Sequence, residues 1–245
     1  HDDLAVLLDD ATIVGLLPPS DPRVRDAQRH DLHGAMLLPG FIDVQVNGGG
    51  GVLFNEAPTL ETLRRIGAAH RQFGTTGFLP TLISDEPSVM REALAAVEQA
   101  LIEGVPGVLG IHLEGPYLAA ARKGVHDAKY FHAPGSDELA LLCAAHRGVR
   151  LITLAPDQVP LASIGALVEA GLIVCAGHTA ADYAATRAAL DAGVRGFTHL
   201  FNAMTPLGSR EPGVVGAALD DARSWCGIIV DGHHVHPASL RVAIA

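Results

Sequence analysis

The sequence predicts an α/β barrel, and three observations carry that reading. Short apolar strands alternate with amphipathic helical stretches from Phe41 onward, polar residues close nearly every strand, and the first forty residues follow a different pattern. Strand, helix and strand recurring every ~20–40 residues implies a parallel sheet. Polar side chains at the carboxyl ends of many strands favour a closed eight-stranded barrel, which assembles its site there. An open doubly wound sheet would concentrate its site at one switch point. With 245 residues, 49% hydrophobic and 18% charged, the chain can bury a substantial core and is not a disordered or disulfide-stapled protein.

Taken in order, Leu4–Leu8 and Thr12–Leu16 flank Asp9-Asp10 in a hairpin pattern, and Ala35–Leu38 is a further apolar stretch. Residues 1–38 therefore read as strands of a small β module, and residues 39–245 as the barrel. The barrel strands expected are Phe41–Asn47, Gly77–Ile83, Val108–Glu114, Arg150–Leu154, Leu172–His178, Gly196–Asn202 and Cys226–Asp231. Between them, Leu60–Phe73, Pro87–Leu101, Asp137–Arg147, Leu161–Ala170 and Ala181–Ala192 read as helices. Ser84 or Asp85 stands as the N-cap before Pro87, and Ser136 before Asp137. Seven βα units are thus present, and the eighth is missing from this chain.

The formal charge of −10 and the absence of a Lys/Arg-rich run exclude nucleic-acid binding by phosphate neutralisation. Cys143, Cys175 and Cys226 are odd in number and far apart, matching neither a zinc CxxC pattern nor a disulfide framework, which points to the cytoplasm. No apolar run reaches the length of a membrane span, and no signal peptide is visible.

Three strand ends invite a metal. His112-Leu113-Glu114 puts His112 and Glu114 on one strand face, Ala176-Gly177-His178 closes the fifth strand, and Thr198-His199 closes the sixth. One carboxylate and two imidazoles suit zinc or a similar divalent ion with an open position for water, and such an ion activates water and polarises a carbonyl. A lone histidine is more often a hydrogen-bonded loop residue. Three ligand-type residues, each closing a barrel strand, tilt the balance toward a metal. His112 reads either as a residue supporting the metal ligands from behind or, preferably, as a satisfied interior residue. His1, His30, His33, His70, His132 and His146 read as solvated.

Asp43, Gln45 and Asn47 share a strand face near the expected metal site, and Gly48–Gly51 follows as either an anion cradle or a plain flexible loop. Neither GxGxxG nor GxxxxGK[ST] occurs, which disfavours nucleotide binding. Arg210 is the strongest phosphate or carboxylate clamp in its neighbourhood, against the alternative of a salt bridge with Glu211. The cluster His233-His234-Val235-His236 after Asp231 suits metal, proton or anion binding, and spacing does not choose among them.

The ordered segments LPGFIDVQVNG, GTTGFLPTLIS, GIHLEGPYL, KGVHDAKYF, LAPD, AGHT, THLFNAM, REPGVVGAAL and GIIVDGHHVH resemble the N-acetylglucosamine-6-phosphate deacetylases, which are metal-dependent barrels of the amidohydrolase superfamily. The resemblance spans essentially the whole chain. It implies a (β/α)8 TIM-type barrel of the metal-dependent hydrolase kind, plus part of a small β-sandwich domain over residues 1–38. It implies metal ligands Glu114, His178 and His199, with Gln45 and Asn47 standing where many amidohydrolases carry an HxH pair, hence one tightly held ion, zinc foremost. It further implies sugar-phosphate contacts from the Val125 backbone, Asn202, Ala203, Arg210 and His234, with Arg210 reaching in from a neighbouring subunit of a homodimer. His126 is near that site in sequence, without an assigned role.

The activity so implied is hydrolysis of the acetamido group of N-acetyl-D-glucosamine 6-phosphate, with release of acetate. The galactosamine epimer is the alternative substrate, and a non-catalytic sugar-phosphate-binding relative is the alternative function. The family's acid–base aspartate belongs at the end of an eighth strand, and so is expected beyond Ala245. Asp231 aligns with the preceding segment and is not promoted to that role.

Overall fold

The structure is a computed structural model that describes residues 4–245, so His1 lies outside the described residues. Two compact units divide the chain, His1–Pro39 and Gly40–Ala245. In the first, β1 (Ala5–Asp9) pairs antiparallel with β2 (Thr12–Leu17), and Asp10 turns the chain at φ +49°. A short helix α1 (Pro22–Asp26) follows, its first turn capped by the Asp21 carboxylate on the Arg23 N–H at 3.0 Å. The expected strand at Ala35–Leu38 does not form. That stretch is irregular, and Met36, Leu37 and Leu38 are exposed, with no neighbouring strand to take up its backbone groups.

The second unit begins with β3 (Phe41–Val46) and a small hairpin, β4 (Gly48–Gly49) with β5 (Val52–Leu53). Then come α2 (Leu60–Arg71), β6 (Thr75–Ile83), α3 (Pro87–Ile102), β7 (Gly110–Glu114), α4 (Ser136–Cys143), β8 (Val149–Leu154), α5 (Leu161–Glu169) and β9 (Ile173–Ala176). The chain continues through α6 (Tyr183–Asp191), β10 (Gly196–Phe197), α7 (Gly213–Asp220), β11 (Trp225–Cys226) and α8 (Pro237–Ile244). All seven expected strands and all five expected helices are represented, but β10 and β11 keep only two residues each and end five residues before the expected Asn202 and Asp231. The N-caps differ from expectation. Glu86 occupies that position before Pro87 without a side-chain cap, and Gly135 precedes Ser136, its N–H taken by the Glu138 carboxylate at 3.2 Å.

The seven strands β3, β6, β7, β8, β9, β10 and β11 form one parallel sheet in sequential order, curled into a half-barrel. Order without reversal is what distinguishes a singly wound barrel from a doubly wound sheet. The central strands are apolar along almost their whole length because both faces are covered, whereas Phe41 and Ile42 of the edge strand β3 are exposed. In β7 every residue is buried, and in β8 every residue after Val149. The ladder slips between Asp43 and Val46 opposite Pro80, which has no N–H to offer. The Val46 N–H turns instead to Thr81 Oγ1 at 3.0 Å.

Alternation then sorts the side chains into two environments. Phe78, Leu82, Ile111, Leu113, Ile152, Leu154, Val174 and Ala176 face the helices, packing on stripes such as Leu63 and Ile66 of α2 or Met90, Ala93 and Val97 of α3. The opposite parity faces the inside of the curl in layers. Leu79, Leu151 and Cys175 form a small apolar cluster at one level. Above it lies a polar level in which His112 Nδ1 donates to Val44 O at 2.8 Å, Nε2 meets Thr153 Oγ1 at 2.7 Å, and Thr153 Oγ1 meets Thr198 Oγ1 at 2.7 Å. His112 is therefore the satisfied interior residue expected of it, and burial pushes its pKa down despite the nearby Glu114 carboxylate.

Candidate metal centre and its surroundings

The next level of the curl belongs to Glu114, His178 and His199, which are 3%, 5% and 7% exposed. Glu114 Oε1 lies 3.1 Å from His178 Nε2 and 3.1 Å from His199 Nε2, and the two Nε2 atoms are 3.0 Å apart. The far side of each ring decides what those contacts are. His178 Nδ1 donates to Arg122 O at 2.8 Å, and His199 Nδ1 donates to Asn202 O at 3.2 Å. A carbonyl can only accept, so each ring carries a proton on Nδ1, and the tautomer that serves as a metal ligand turns an Nε2 lone pair toward the carboxylate.

Three lone-pair donors facing one another in a buried space are a triangle without a proton to share. A cation resolves that conflict. For ligand bonds of about 2.0–2.1 Å, neighbouring donors on a tetrahedron stand about 3.3 Å apart, so the observed triangle is close to one tetrahedral face. The donor set therefore fits a divalent ion of the zinc type, and this is the one His/Cys/Asp/Glu group of such geometry among the described residues.

Loops rather than strands do the aiming. His178 (φ +47°), His199 (φ +41°), Phe201 (φ +78°) and Ala203 (φ +52°) all adopt left-handed backbone, which costs roughly 1–3 kcal/mol per residue and is kept only where surrounding contacts impose it. Those contacts are present. The Ala119 N–H donates to His178 O at 2.9 Å while Arg122 O takes the ring N–H, so the segment after β7 holds His178 at both ends. The Thr179 N–H donates to Ala203 O at 3.1 Å, and the Thr179 hydroxyl to Asp157 Oδ1 at 2.5 Å, tying together the loops after β8, β9 and β10. Gly124, at φ +57°, lets its backbone lie against the His178 ring, where a Cβ would stand 3.1 Å from Cε1.

His126 forms the adjoining wall. Its ring packs edge-on to His178 at a centroid distance of 4.5 Å, and it is 2% exposed. Nδ1 accepts from the Ser84 N–H at 3.3 Å and lies 2.9 Å from Ser84 Oγ. The proton is thereby placed on Nε2, 3.8 Å from Glu114 Oε2 and without any hydrogen-bond acceptor. Burial pushes the imidazole down to about 4, against the pull of Glu114, so it is neutral at neutral pH. Sequence reasoning left His126 without a role and treated Ser84 only as a helix cap. Ser84 closes β6, so the strand-end rule applied to every strand would have found it.

Other expected residues fall outside this triangle. Gln45 and Asn47 are half-buried at the end of β3, and no hydrogen bond fixes either amide among the described residues. Val125 is 88% exposed beside buried His126. The Asn202 N–H donates to His199 O at 2.9 Å, so the same residue braces the ligand on two sides. The Arg210–Glu211 salt bridge does not form. Glu211 Oε1 instead accepts the first N–H groups of α6 and α7, from Tyr183 at 2.8 Å and Gly213 at 3.0 Å. Arg210 is exposed and has no ion pair among the described residues. His234 is exposed and lies against Asp231. Three discounted histidines are engaged after all, among them His146, whose Nδ1 donates to Ala144 O at 3.2 Å. The His70 ring donates to Gly48 O at 2.9 Å, pinning the glycine hairpin to α2, and His132 meets Glu138 at 2.9 Å. No helix among the described residues is long and apolar enough to cross a membrane.

Comparison with known proteins gives this geometry a context. The sequence model of the amidohydrolase family matches residues 36–245. The N-acetylgalactosamine-6-phosphate deacetylase of Shewanella sp. (strain ANA-3) is 48% identical over 98% of this chain and 61% of its own length. The crystal structure of N-acetylglucosamine-6-phosphate deacetylase from Pasteurella multocida superposes with a TM-score of 0.93 at 38% identity, over 98% of this chain and 63% of that one. A Mycobacterium smegmatis N-acetyl-D-glucosamine-6-phosphate deacetylase mutant, in complex with N-acetyl-D-glucosamine-6-phosphate, superposes with a TM-score of 0.78 at 38% identity, over 84% of this chain and 54% of that one. The chain spans about three fifths of the length of the curated relatives it matches.

Proposed function

The chain belongs to the amidohydrolase family, and from that premise we propose that it carries the metal centre and sugar-phosphate contacts of an N-acetylglucosamine-6-phosphate deacetylase. The observation that carries the reading is the buried triangle of Glu114, His178 and His199, whose lone pairs converge while both Nδ1 protons are spent on carbonyls. A divalent ion, zinc by its donor set, would be held by these three side chains and would supply Lewis acidity toward an amide carbonyl and toward water. Gln45 and Asn47, at the end of β3, would be neighbours of that metal site.

The chain's own groups do the remaining work. His126, neutral and with its proton on Nε2, donates to the acetamido oxygen as negative charge develops there, from a position buried away from bulk solvent. Ser84 holds that tautomer. Arg210, free of Glu211, binds the phosphate by a charge-assisted fork, and Asn202, Ala203, His234 and the Val125 backbone hold the sugar in register. In this reading Arg210 serves the site of a neighbouring copy in a cytoplasmic homodimer. Residues 1–38 belong to a small β-sandwich and residues 39–245 to the barrel.

The galactosamine epimer is the second reading, favoured by the 48% identity to a relative named for that substrate. Acetate release from both N-acetylated hexosamine 6-phosphates by the zinc-loaded protein separates them. A clear preference for one epimer assigns the substrate, and failure both to release acetate from and to bind either sugar phosphate rejects the deacetylase reading. Arg210→Ala should raise KM for the phosphorylated sugar far more than for the unphosphorylated one, and equal effects would refute its phosphate role.

A further inference from the structure

Asp231 follows the last strand of the sheet, where a barrel hydrolase could use a carboxylate for proton transfer, yet its oxygens are already committed. Oδ1 accepts the backbone N–H of His233 at 2.8 Å and of His234 at 2.9 Å, closing a tight turn. Oδ2 accepts the ring Nδ1–H of His234 at 2.7 Å. We propose that Asp231 is a positioning residue: it locks the His234 ring in the Nδ1–H tautomer and directs its Nε2 lone pair outward to accept a hydroxyl proton from a bound hexose.

The physical reasons are two. A carboxylate accepting three N–H bonds has little basicity left, and these bonds hold Asp231 well below the usual carboxylate range, so it does not exchange protons near neutrality. A histidine whose Nδ1–H is held by a carboxylate has a defined ring orientation, as in the second shell of many histidine sites. An untethered His234 would instead rotate freely, since its side chain is 54% exposed. His233 lends the turn only its backbone N–H, and His236 caps α8 through Nδ1 on the Ala238 N–H at 3.1 Å. Only His234 of the three is therefore aimed by a side chain. The hydroxyl-acceptor role rests on the sugar-phosphate reading above, whereas the tautomer lock does not.

Nitrogen-15 NMR of the histidine-labelled protein at about pH 9, where an ordinary imidazole is neutral, tests the lock. His234 is assigned by the signal lost in His234→Gln. The expected result is a proton on Nδ1 in the wild type and in His233→Ala, and loss of that signature in Asp231→Ala. A wild-type His234 protonated on Nε2, or an unchanged tautomer in folded Asp231→Ala, overturns the proposal, and the wild-type spectrum decides even if the variant does not fold. Binding of glucosamine 6-phosphate supplies the second arm. Asp231→Ala and His234→Ala should each weaken it about tenfold, and the double variant no further. Normal binding by all three with an intact wild-type Nδ1–H signature removes the hydroxyl-acceptor role and leaves the lock in place.

Discussion

Replacing Glu114 by Gln keeps the shape of the side chain and exchanges an anionic acceptor for an amide that can donate. In the metal-free protein this substitution removes a conflict, because Oε1 now faces two Nε2 lone pairs at 3.1 Å and a glutamine N–H can satisfy one of them. In the metal-loaded protein it removes the only anionic donor of three. Changes one shell further out cost about 10–100-fold in metal affinity, so a direct ligand should cost about 100-fold or more. At a zinc concentration of about 100 times the wild-type Kd, binding stabilises the wild type by about 2.7 kcal/mol and the variant by about 0.4 kcal/mol. For a chain of this size that difference is about 5–9 °C in the metal-induced rise of Tm. Thermal unfolding with and without zinc, after stripping with a chelator, measures both effects. The metal-free variant should melt at or above the metal-free wild type, and its rise with zinc should be nearly absent. An undiminished zinc-induced rise in Glu114→Gln would refute the ligand assignment. A metal-free variant several degrees less stable would refute the argument from converging lone pairs.

Three further outcomes follow from other parts of the fold. His126→Gln should lower kcat about 10²–10³-fold, the cost of losing one donor to a developing oxyanion, while metal content measured by elemental analysis stays at the wild-type level. Loss of the metal would make His126 a ligand instead. Arg150 is buried and its Nη1 reaches the carbonyls of Leu141 at 3.3 Å, Leu142 at 2.6 Å and Ala144 at 3.5 Å, closing the C-terminal end of α4. Arg150→Met should cost about 1.5–3 kcal/mol in denaturant unfolding, and an unchanged midpoint would contradict the capping role. Asp221, whose side chain is 2% exposed, accepts from Arg223 Nη2 at 2.7 Å and Arg187 Nη1 at 2.9 Å, and the Arg223 guanidinium above all holds its carboxyl well below the unfolded value of 3.8. A depressed folded pKa contributes stability that is complete above the unfolded value and is lost as pH falls through the folded one. Asp221→Asn should therefore be less stable than the wild type at pH 7, the gap closing under acid; a gap independent of pH would show that the carboxylate charge is not its source.

The ordered motifs and the strand-end positions of Glu114, His178 and His199 made the chemistry legible before any coordinates, because a ligand type at the end of a barrel strand has one place to point. The alternation of β7 likewise put His112 and Glu114 on one face, and they occupy successive levels of the curl. What the linear pattern could not supply was a place for His126, which stands between Val125 and Asp127 with no strand period around it. His112 ends between Val44 and Thr153 with both nitrogens paired, while His126 ends with Nε2 unpaired.

The sequence by itself determined the parallel βα order, the apolar strands and the three candidate ligand residues, because each follows from local periodicity and residue chemistry. Only the tertiary structure decided which nitrogen of each ligand histidine is free. That choice rests on carbonyls at Arg122, 56 residues away in the chain from His178, and at Asn202, and on left-handed backbone at His178 and His199 that no propensity favours. Only the tertiary structure, too, took Glu211 away from Arg210, by giving its carboxylate to the N-termini of α6 and α7. Hydrogen bonds between distant loops leave no period in the sequence, so their consequences become readable only when the chain is folded.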